Sequence, residues 1–145
     1  MTTIAVRDGL MCSDTQSTGG GYKALIDKMF RLPDGGIVGI AGGLREALAA
    51  TQWMIEGEEG DPPDSDGSYT LLILRPNGSI WCADSGFPAL RLRNKFAAIG
   101  SGCPMAMAAM EMGATAAQAV KIASKYDECT NSRVKSMALT RKRGL

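Results

Sequence analysis

Short apolar segments that are joined in pairs by tight turns restrict the fold of this chain more than any other feature. Three such pairs are predicted: residues 3–7 with 10–12, residues 28–32 with 36–41, and residues 69–74 with 79–83. The turns between them are Asp8-Gly9, Pro33-Asp34-Gly35-Gly36 and Pro76-Asn77-Gly78. Turns of this composition and length join antiparallel neighbours. The sequence therefore predicts antiparallel sheets built from hairpins, with further short strands at 96–99 and 134–139.

Helical periodicity occurs in three segments, residues 43–56, 103–112 and 115–126. The apolar face expected for the first helix is Leu44, Ala47, Leu48, Thr51, Met54 and Ile55. A methionine stripe in the second helix is typical of core packing or of a subunit contact. Thr115 and Gln118 match a capping box that begins the third helix. With residues 57–67 as a surface loop, this order predicts a single α+β domain with helices on the outer faces of the sheets.

Composition removes several classes of function. The net charge of +1 gives no general attraction to nucleic acid, and no apolar run is long enough to span a bilayer. The four cysteines are scattered without a CxxC pair, so neither a metal site nor a disulfide framework is expected. No secretion leader is recognisable, and we expect reduced thiols and a cytoplasmic location. The basic residues at 140–145 are expected to form a solvated tail of the single domain, 1–145.

The sequence contains no histidine, which restricts the covalent chemistry open to it. Ser-His-Asp and Cys-His nucleophiles are excluded, so a general base must be a lysine, a carboxylate or the amino terminus of the chain. If Met1 is removed, Thr2 carries a hydroxyl and an α-amine on one residue. A free α-amine has a pKa of about 7.7–8, which suits a general base near neutral pH. By its position alone, however, Thr2 is more simply the first residue of a strand.

Six segments, in order along almost the whole chain, decide between these readings. They are Thr2-Thr3-Ile4-Ala5-Val6, Ser13-Asp14-Thr15-Gln16-Ser17-Thr18, Lys28 at the start of a strand, Ala41-Gly42-Gly43, Ile99-Gly100-Ser101-Gly102 and Asp127-Glu128-Cys129-Thr130-Asn131. From Thr2 to about Leu139 the sequence resembles the β-type subunits of the proteasome and the bacterial peptidase HslV. The resemblance implies a threonine peptidase of the N-terminal nucleophile hydrolase superfamily.

The implied fold is a four-layer αββα sandwich of two antiparallel sheets, in which one helix of the usual set is shortened or missing. The loop at 57–67 stands where that helix is expected. The resemblance also implies a homo-oligomeric ring that acts on peptides or unfolded proteins without a cofactor, with an ATPase unfoldase as a possible partner.

The resemblance assigns roles to individual residues. The implied catalytic set is Thr2 as nucleophile, Lys28 beside it, Asp14 paired with the lysine, Gly42 as the oxyanion donor, and Ser101, Asp127 and Thr130 around the threonine amine. The family commonly has serine where this chain has Thr130. By position, Thr18, Ile26, Ile40 and Leu44 line the substrate site, although the three apolar residues would serve equally well as core.

Two alternatives remain open at the level of the sequence. An N-terminal nucleophile amidase has the same fold and nucleophile but acts on a small amide. A non-catalytic assembly protein keeps the fold and retains Met1. The presence of Thr2, Asp14, Lys28 and Ser101 together favours an enzyme.

Overall fold

The computed structural model of the protein describes residues 2–19, 21–64 and 67–140. Met1 and residues 141–145 of the expected basic tail lie outside the described residues. The described part of the chain forms, in order, β1 (Ile4–Arg7), β2 (Leu10–Ser13), β3 (Gln16–Gly19), β4 (Tyr22–Leu25), β5 (Met29–Arg31), β6 (Ile37–Gly42), α1 (Leu44–Ile55), β7 (Tyr69–Leu74), β8 (Ile80–Asp84), β9 (Leu90–Leu92), β10 (Phe96–Ile99), α2 (Cys103–Glu111), α3 (Ala116–Tyr126) and β11 (Lys135–Ala138). None of these helices is long and apolar enough to cross a bilayer.

Every strand pair is antiparallel. The first sheet has the order β10-β1-β2-β11, and the second has the order β5-β6-β7-β8-β9. The three predicted hairpins are confirmed as β1–β2, β5–β6 and β7–β8. A third sheet of the described residues has two strands, β3 and β4, and neither strand was predicted from the sequence. The short strand β9, paired with β8, was also not predicted.

Three apolar clusters of the described residues define the layers. Ile4 and Met11 of the first sheet meet Ile37 and Leu72 of the second in the central cluster. Helix α1 covers the outer face of the second sheet, and α2 with α3 covers the outer face of the first. These contacts make the four-layer αββα sandwich that the family resemblance implies, with the small β3–β4 sheet as an addition. No helix stands in the described part of the segment between α1 and β7.

Gly39, in the middle of β6, sets the spacing between the two sheets. A Cβ at this position would lie 2.9 Å from the Ile4 Cδ1 and Cγ2 atoms and 3.0 Å from the Met11 Sδ. Real Cβ atoms almost never approach other atoms so closely. Because Gly39 has no side chain, the first and second sheets can pack closely at this point.

Helix α1 buries a face that overlaps the predicted one at Ala47, Thr51 and Met54 but is shifted toward Ala50. Its buried residues are Ala47, Ala50, Thr51 and Met54. Leu44 and Leu48 are 42% and 41% exposed, so their assignment to the core was wrong. The alanines face β6 and β7 because their small side chains let the helix lie close to the sheet. The periodicity predicted the helix correctly, but the prediction placed Leu44 and Leu48 in the core and left out Ala50.

Two further predictions concern the methionines of α2 and the first turn of α3. Among the methionines of residues 103–112, Met110 is buried in α2, and Met112, which follows the last residue of α2, is exposed. The capping box of α3 is confirmed, because Thr115 Oγ1 accepts the Gln118 amide hydrogen and the Gln118 side chain accepts that of Thr115.

Replacing Thr115 with alanine removes one half of this capping box. We expect Thr115→Ala to lower the free energy of unfolding by about 1 kcal/mol, because the Gln118 N–H loses its acceptor. Thr115→Ser keeps the hydroxyl and serves as the control. Urea unfolding followed by circular dichroism measures both variants, and equal losses in the two would contradict the assignment of the cap.

Candidate active site

A buried ion pair joins the end of β2 to the start of β5. Lys28 Nζ donates to Asp14 Oδ1 at 3.0 Å and to Oδ2 at 3.1 Å. The side chains are 2% and 0% exposed. Charges buried to this degree are tolerated only when they are paired and hydrogen-bonded. Burial lowers the pKa of Lys28, and the adjacent Asp14 carboxylate opposes that effect in part.

The Asp14 carboxylate also organises backbone from three other segments. Its Oδ1 accepts the Thr3 amide hydrogen at 3.1 Å, and its Oδ2 accepts those of Gln16 at 3.2 Å and Asn131 at 3.4 Å. The start of β1, the start of β3 and the loop before β11 therefore meet at one carboxylate. This arrangement compensates for the desolvation of the buried charge.

A second network surrounds the backbone nitrogen of Thr2, which lies just before β1. That nitrogen donates to Ser101 Oγ at 3.2 Å, and Ser101 Oγ donates to Asp127 Oδ2 at 2.6 Å. Thr130 Oγ1 donates to the same carboxylate oxygen at 2.5 Å. Since the Thr130 proton is directed to Asp127, the 2.8 Å contact between the hydroxyls of Thr3 and Thr130 has Thr3 as its donor.

The same hydrogen bonds tune the acidity of Asp127. Burial raises the pKa of Asp127, but hydrogen bonds from Ser101, Thr130 and the Cys129 amide outweigh that effect. The resulting pKa lies below its ordinary value. Asp127 is therefore a carboxylate at neutral pH that accepts two hydroxyl protons.

The turn between β10 and α2 fits closely around the backbone of Thr2. Gly100 has a φ of +96°, and a Cβ there would lie 2.0 Å from the Thr2 carbonyl oxygen. The Gly102 amide donates to that oxygen at 3.3 Å. Only glycine at position 100 allows this approach, since both the positive φ and the close contact exclude a side chain.

A cavity of about 140 Å³ opens beside Thr2. Its lining includes Thr2, Lys28, Gly42, Thr18, Ile26, Ile40 and Leu44, together with Gln16. Gly42 ends β6 with a φ of +89°. The structure thus brings all the residues predicted from the resemblance into one region, either around this cavity or in the two networks beside it.

Comparison with known proteins gives the fold. No protein-family model and no curated protein matches the sequence. Two structures of BPH from Thiobacillus denitrificans, one of them in complex with epoxomicin, match with a TM-score of 0.69 at 22% identity, over 97% of this chain and 99% of theirs. Eukaryotic HslV from Trypanosoma brucei matches with a TM-score of 0.68 at 18% identity, over the same shares of the two chains.

This chain has the HslV fold. The predicted fold class, an α+β sandwich of antiparallel sheets, is therefore confirmed by solved structures as well as by its own layers.

Three residues of this HslV-fold site were not predicted as site residues. Thr3 and Asn131 contribute the hydrogen bonds described above, and the Gln16 side chain donates to the Glu128 carbonyl oxygen at 3.2 Å. All three lie in segments that carried the resemblance. Each lies within two positions of a predicted catalytic residue, and that position is the signal that would have selected them.

The buried ion pair allows a direct test of its contribution to stability. We expect Lys28→Met to lower the free energy of unfolding by about 3–5 kcal/mol, because it leaves the Asp14 carboxylate buried without a cation. Lys135→Met is the matched control, since the Lys135–Asp27 pair is 61% and 66% exposed and its loss costs about 1 kcal/mol or less. Urea unfolding measures both, and a similar small loss in the two would contradict the arrangement described here.

The lowered pKa of Asp127 predicts a dependence of stability on pH. As pH falls, the unfolded chain takes up the Asp127 proton before the folded chain does, at the ordinary aspartate pKa of about 3.9. The stabilisation from this carboxylate is therefore complete above that pKa and is lost as pH falls through the folded-state pKa. Asp127→Asn lacks this contribution.

The measurement compares the free energy of unfolding of the wild type and of Asp127→Asn at a series of pH values. We expect the advantage of the wild type to be largest near neutral pH and to shrink below about pH 4. An advantage that stays constant, or grows, on acidification would show that Asp127 does not have a lowered pKa.

Proposed function

We propose that this protein is a threonine-type endopeptidase whose nucleophile is Thr2 after removal of Met1. One observation supports this most directly. The nitrogen of Thr2 donates to Ser101 in the Ser101–Asp127–Thr130 network, and Thr2 shares a cavity with the buried Lys28. In the chain that still carries Met1 this nitrogen is an amide. In the processed chain the same atom is a free amine, which is a base.

The first half of the reaction is acylation. The Thr2 Oγ1 attacks the carbonyl carbon of the scissile peptide bond while the Thr2 amine takes the hydroxyl proton, directly or through one water. The tetrahedral intermediate then collapses, the C–N bond breaks, and the same amine returns the proton to the leaving amino group. The products of this half are a free peptide amine and an ester on Thr2.

The second half is hydrolysis of that ester. The Thr2 amine takes a proton from a water molecule, whose oxygen attacks the ester carbonyl. Collapse of the second intermediate breaks the ester bond, and the threonine oxygen recovers its proton. Atoms and charge balance over the cycle, which consumes one water per peptide bond.

The surroundings of Thr2 suit this chemistry. A buried Lys28 ammonium in the same cavity lowers the pKa of the amine and favours the free base. The Ser101 hydroxyl and the Asp127 carboxylate orient the amine. Gly42 ends β6 at the cavity, and its N–H is proposed as the oxyanion donor, a role whose loss typically costs about 10²–10³-fold in rate.

The apolar lining of the cavity supports a preference in the substrate. Ile26, Ile40 and Leu44 face a space of about 140 Å³, which suits a small to medium apolar side chain. Thr18 is the proposed polar contact to the substrate. The proposal includes assembly into a homo-oligomeric ring, which would hide the site from folded proteins, and the possibility of an ATPase unfoldase as partner.

The proposal is tested on protein whose loss of Met1 has been verified by intact mass. We expect a peptide epoxyketone to form one adduct on Thr2 and fluorogenic peptides to be hydrolysed. Thr2→Ala should reduce hydrolysis by about 10⁴-fold or more, since the nucleophile is gone. Thr2→Ser keeps a hydroxyl and should retain activity, and Thr70→Ala on β7 is a control for threonine replacement elsewhere.

Other outcomes would contradict parts of the proposal. Hydrolysis of small amides but not of peptides would support Thr2 as the nucleophile and contradict the assignment of peptides as the substrate. Retention of Met1 in protein expressed in its native host, with no adduct on Thr2, would overturn both and favour an assembly protein.

A further inference from the structure

Gln16 is a buried side chain that the proposed reaction does not use. It begins β3 and is 6% exposed. Its Nε2 donates to Thr18 Oγ1 at 3.2 Å and to the Glu128 carbonyl oxygen at 3.2 Å. A side-chain amide has two N–H donors, so both are in use. Gln16 therefore connects β3 to the loop before β11.

The loop end of this connection is firmly held. Glu128 follows Asp127, whose carboxylate accepts the Cys129 amide hydrogen at 3.3 Å. Two residues further on, the Asn131 side chain accepts the Thr15 amide hydrogen at 3.1 Å. The Glu128 carbonyl therefore belongs to a segment that is fixed on both sides by hydrogen bonds.

The other end of this connection, strand β3, has fewer stabilising contacts. Strands β3 and β4 form a separate two-stranded sheet, and such a hairpin is at best marginally stable without tertiary contacts. Tyr22 and Leu25 of β4 are 70% and 60% exposed. Thr18, which lines the cavity beside Thr2, therefore depends for its position on side-chain contacts at the base of the hairpin.

We propose that Gln16 is a positioning residue that holds β3 and Thr18 against the cavity, so that an extended peptide is aligned with Thr2. This inference rests on the proposed function. Gln16 does not touch the reacting atoms and acts through Thr18. Its loss should therefore affect substrates that extend along β3 more than small electrophiles that reach only Thr2.

The test uses Gln16→Met, which keeps the length of the side chain and removes both donors. We expect hydrolysis of a fluorogenic tetrapeptide to fall about 10–100-fold, the usual cost of a misplaced substrate. Labelling of Thr2 by a small β-lactone should fall less than about threefold, since that probe does not lie on β3. Gln52→Met, on the exposed face of α1, is the matched control, and should change neither rate.

Amide hydrogen exchange gives a readout that does not depend on activity. In Gln16→Met the amides of β3 and β4 should exchange faster, while those of β1 and β2 stay as in the wild type. If that variant does not fold, Gln16→Ala replaces it, because it removes both donors without burying an unpaired charge.

The failures of the two proposals are distinguishable. A processed wild type that neither the β-lactone nor the epoxyketone labels would overturn the proposed function. Equal losses of peptide hydrolysis and β-lactone labelling in Gln16→Met, or unchanged exchange in β3 and β4, would overturn the role of Gln16 alone.

Discussion

Lys28 and Asp14 lie in different parts of the sandwich, and the pairing of their charges fixes how those parts meet. Asp14 follows the last residue of β2 in the first sheet, and Lys28 precedes the first residue of β5 in the second. Neither charge reaches solvent, so separation of the two side chains would leave both without compensation. The ends of the two sheets are thus joined by a contact that has no low-energy alternative.

The region around Thr2 is organised by two hydrogen-bond networks that treat their charges differently. On one side a lysine and a carboxylate neutralise each other inside the protein. On the other side the Asp127 carboxylate has hydroxyl partners, Ser101 and Thr130, and within the described part of the chain no cation is among its hydrogen-bond donors. A base at the Thr2 nitrogen would lie between a buried cation and a chain of hydroxyl groups that ends in an anion, and that position suits reversible proton uptake.

The features that could be predicted from the sequence are those set by local chemistry. Turn residues such as Asn77-Gly78 gave the hairpins, and Thr115 with Gln118 gave the start of α3. The face of α1 was predicted only in part, because burial there depends on how closely the helix approaches the sheet, which favours Ala50 over Leu48. The β3–β4 hairpin was missed because its side chains are mostly polar or exposed and do not alternate between a core and solvent.

The candidate site was predictable to a similar extent. The motifs named the residues that carry charge or a hydroxyl, and the structure gathers them in one region. Gln16 and Asn131 were not assigned roles, because their importance lies in contacts between segments more than 100 positions apart. Their positions close to Asp14 and Thr130 can be read from the sequence, but no local pattern shows which distant segment each of them contacts.

The close approach of the sheets at Gly39 has a consequence for the cavity itself. Thr2 belongs to the first sheet's side of the cavity and Gly42 to the second, so its width depends on how far apart the two sheets stand. A larger residue in the middle of β6 would push the two sheets apart, and this would widen the end of the cavity where the proposed nucleophile, Thr2, and the proposed oxyanion donor, Gly42, must meet. Gly39 has no side chain and takes no part in the proposed reaction, yet it controls the distance between Thr2 and Gly42.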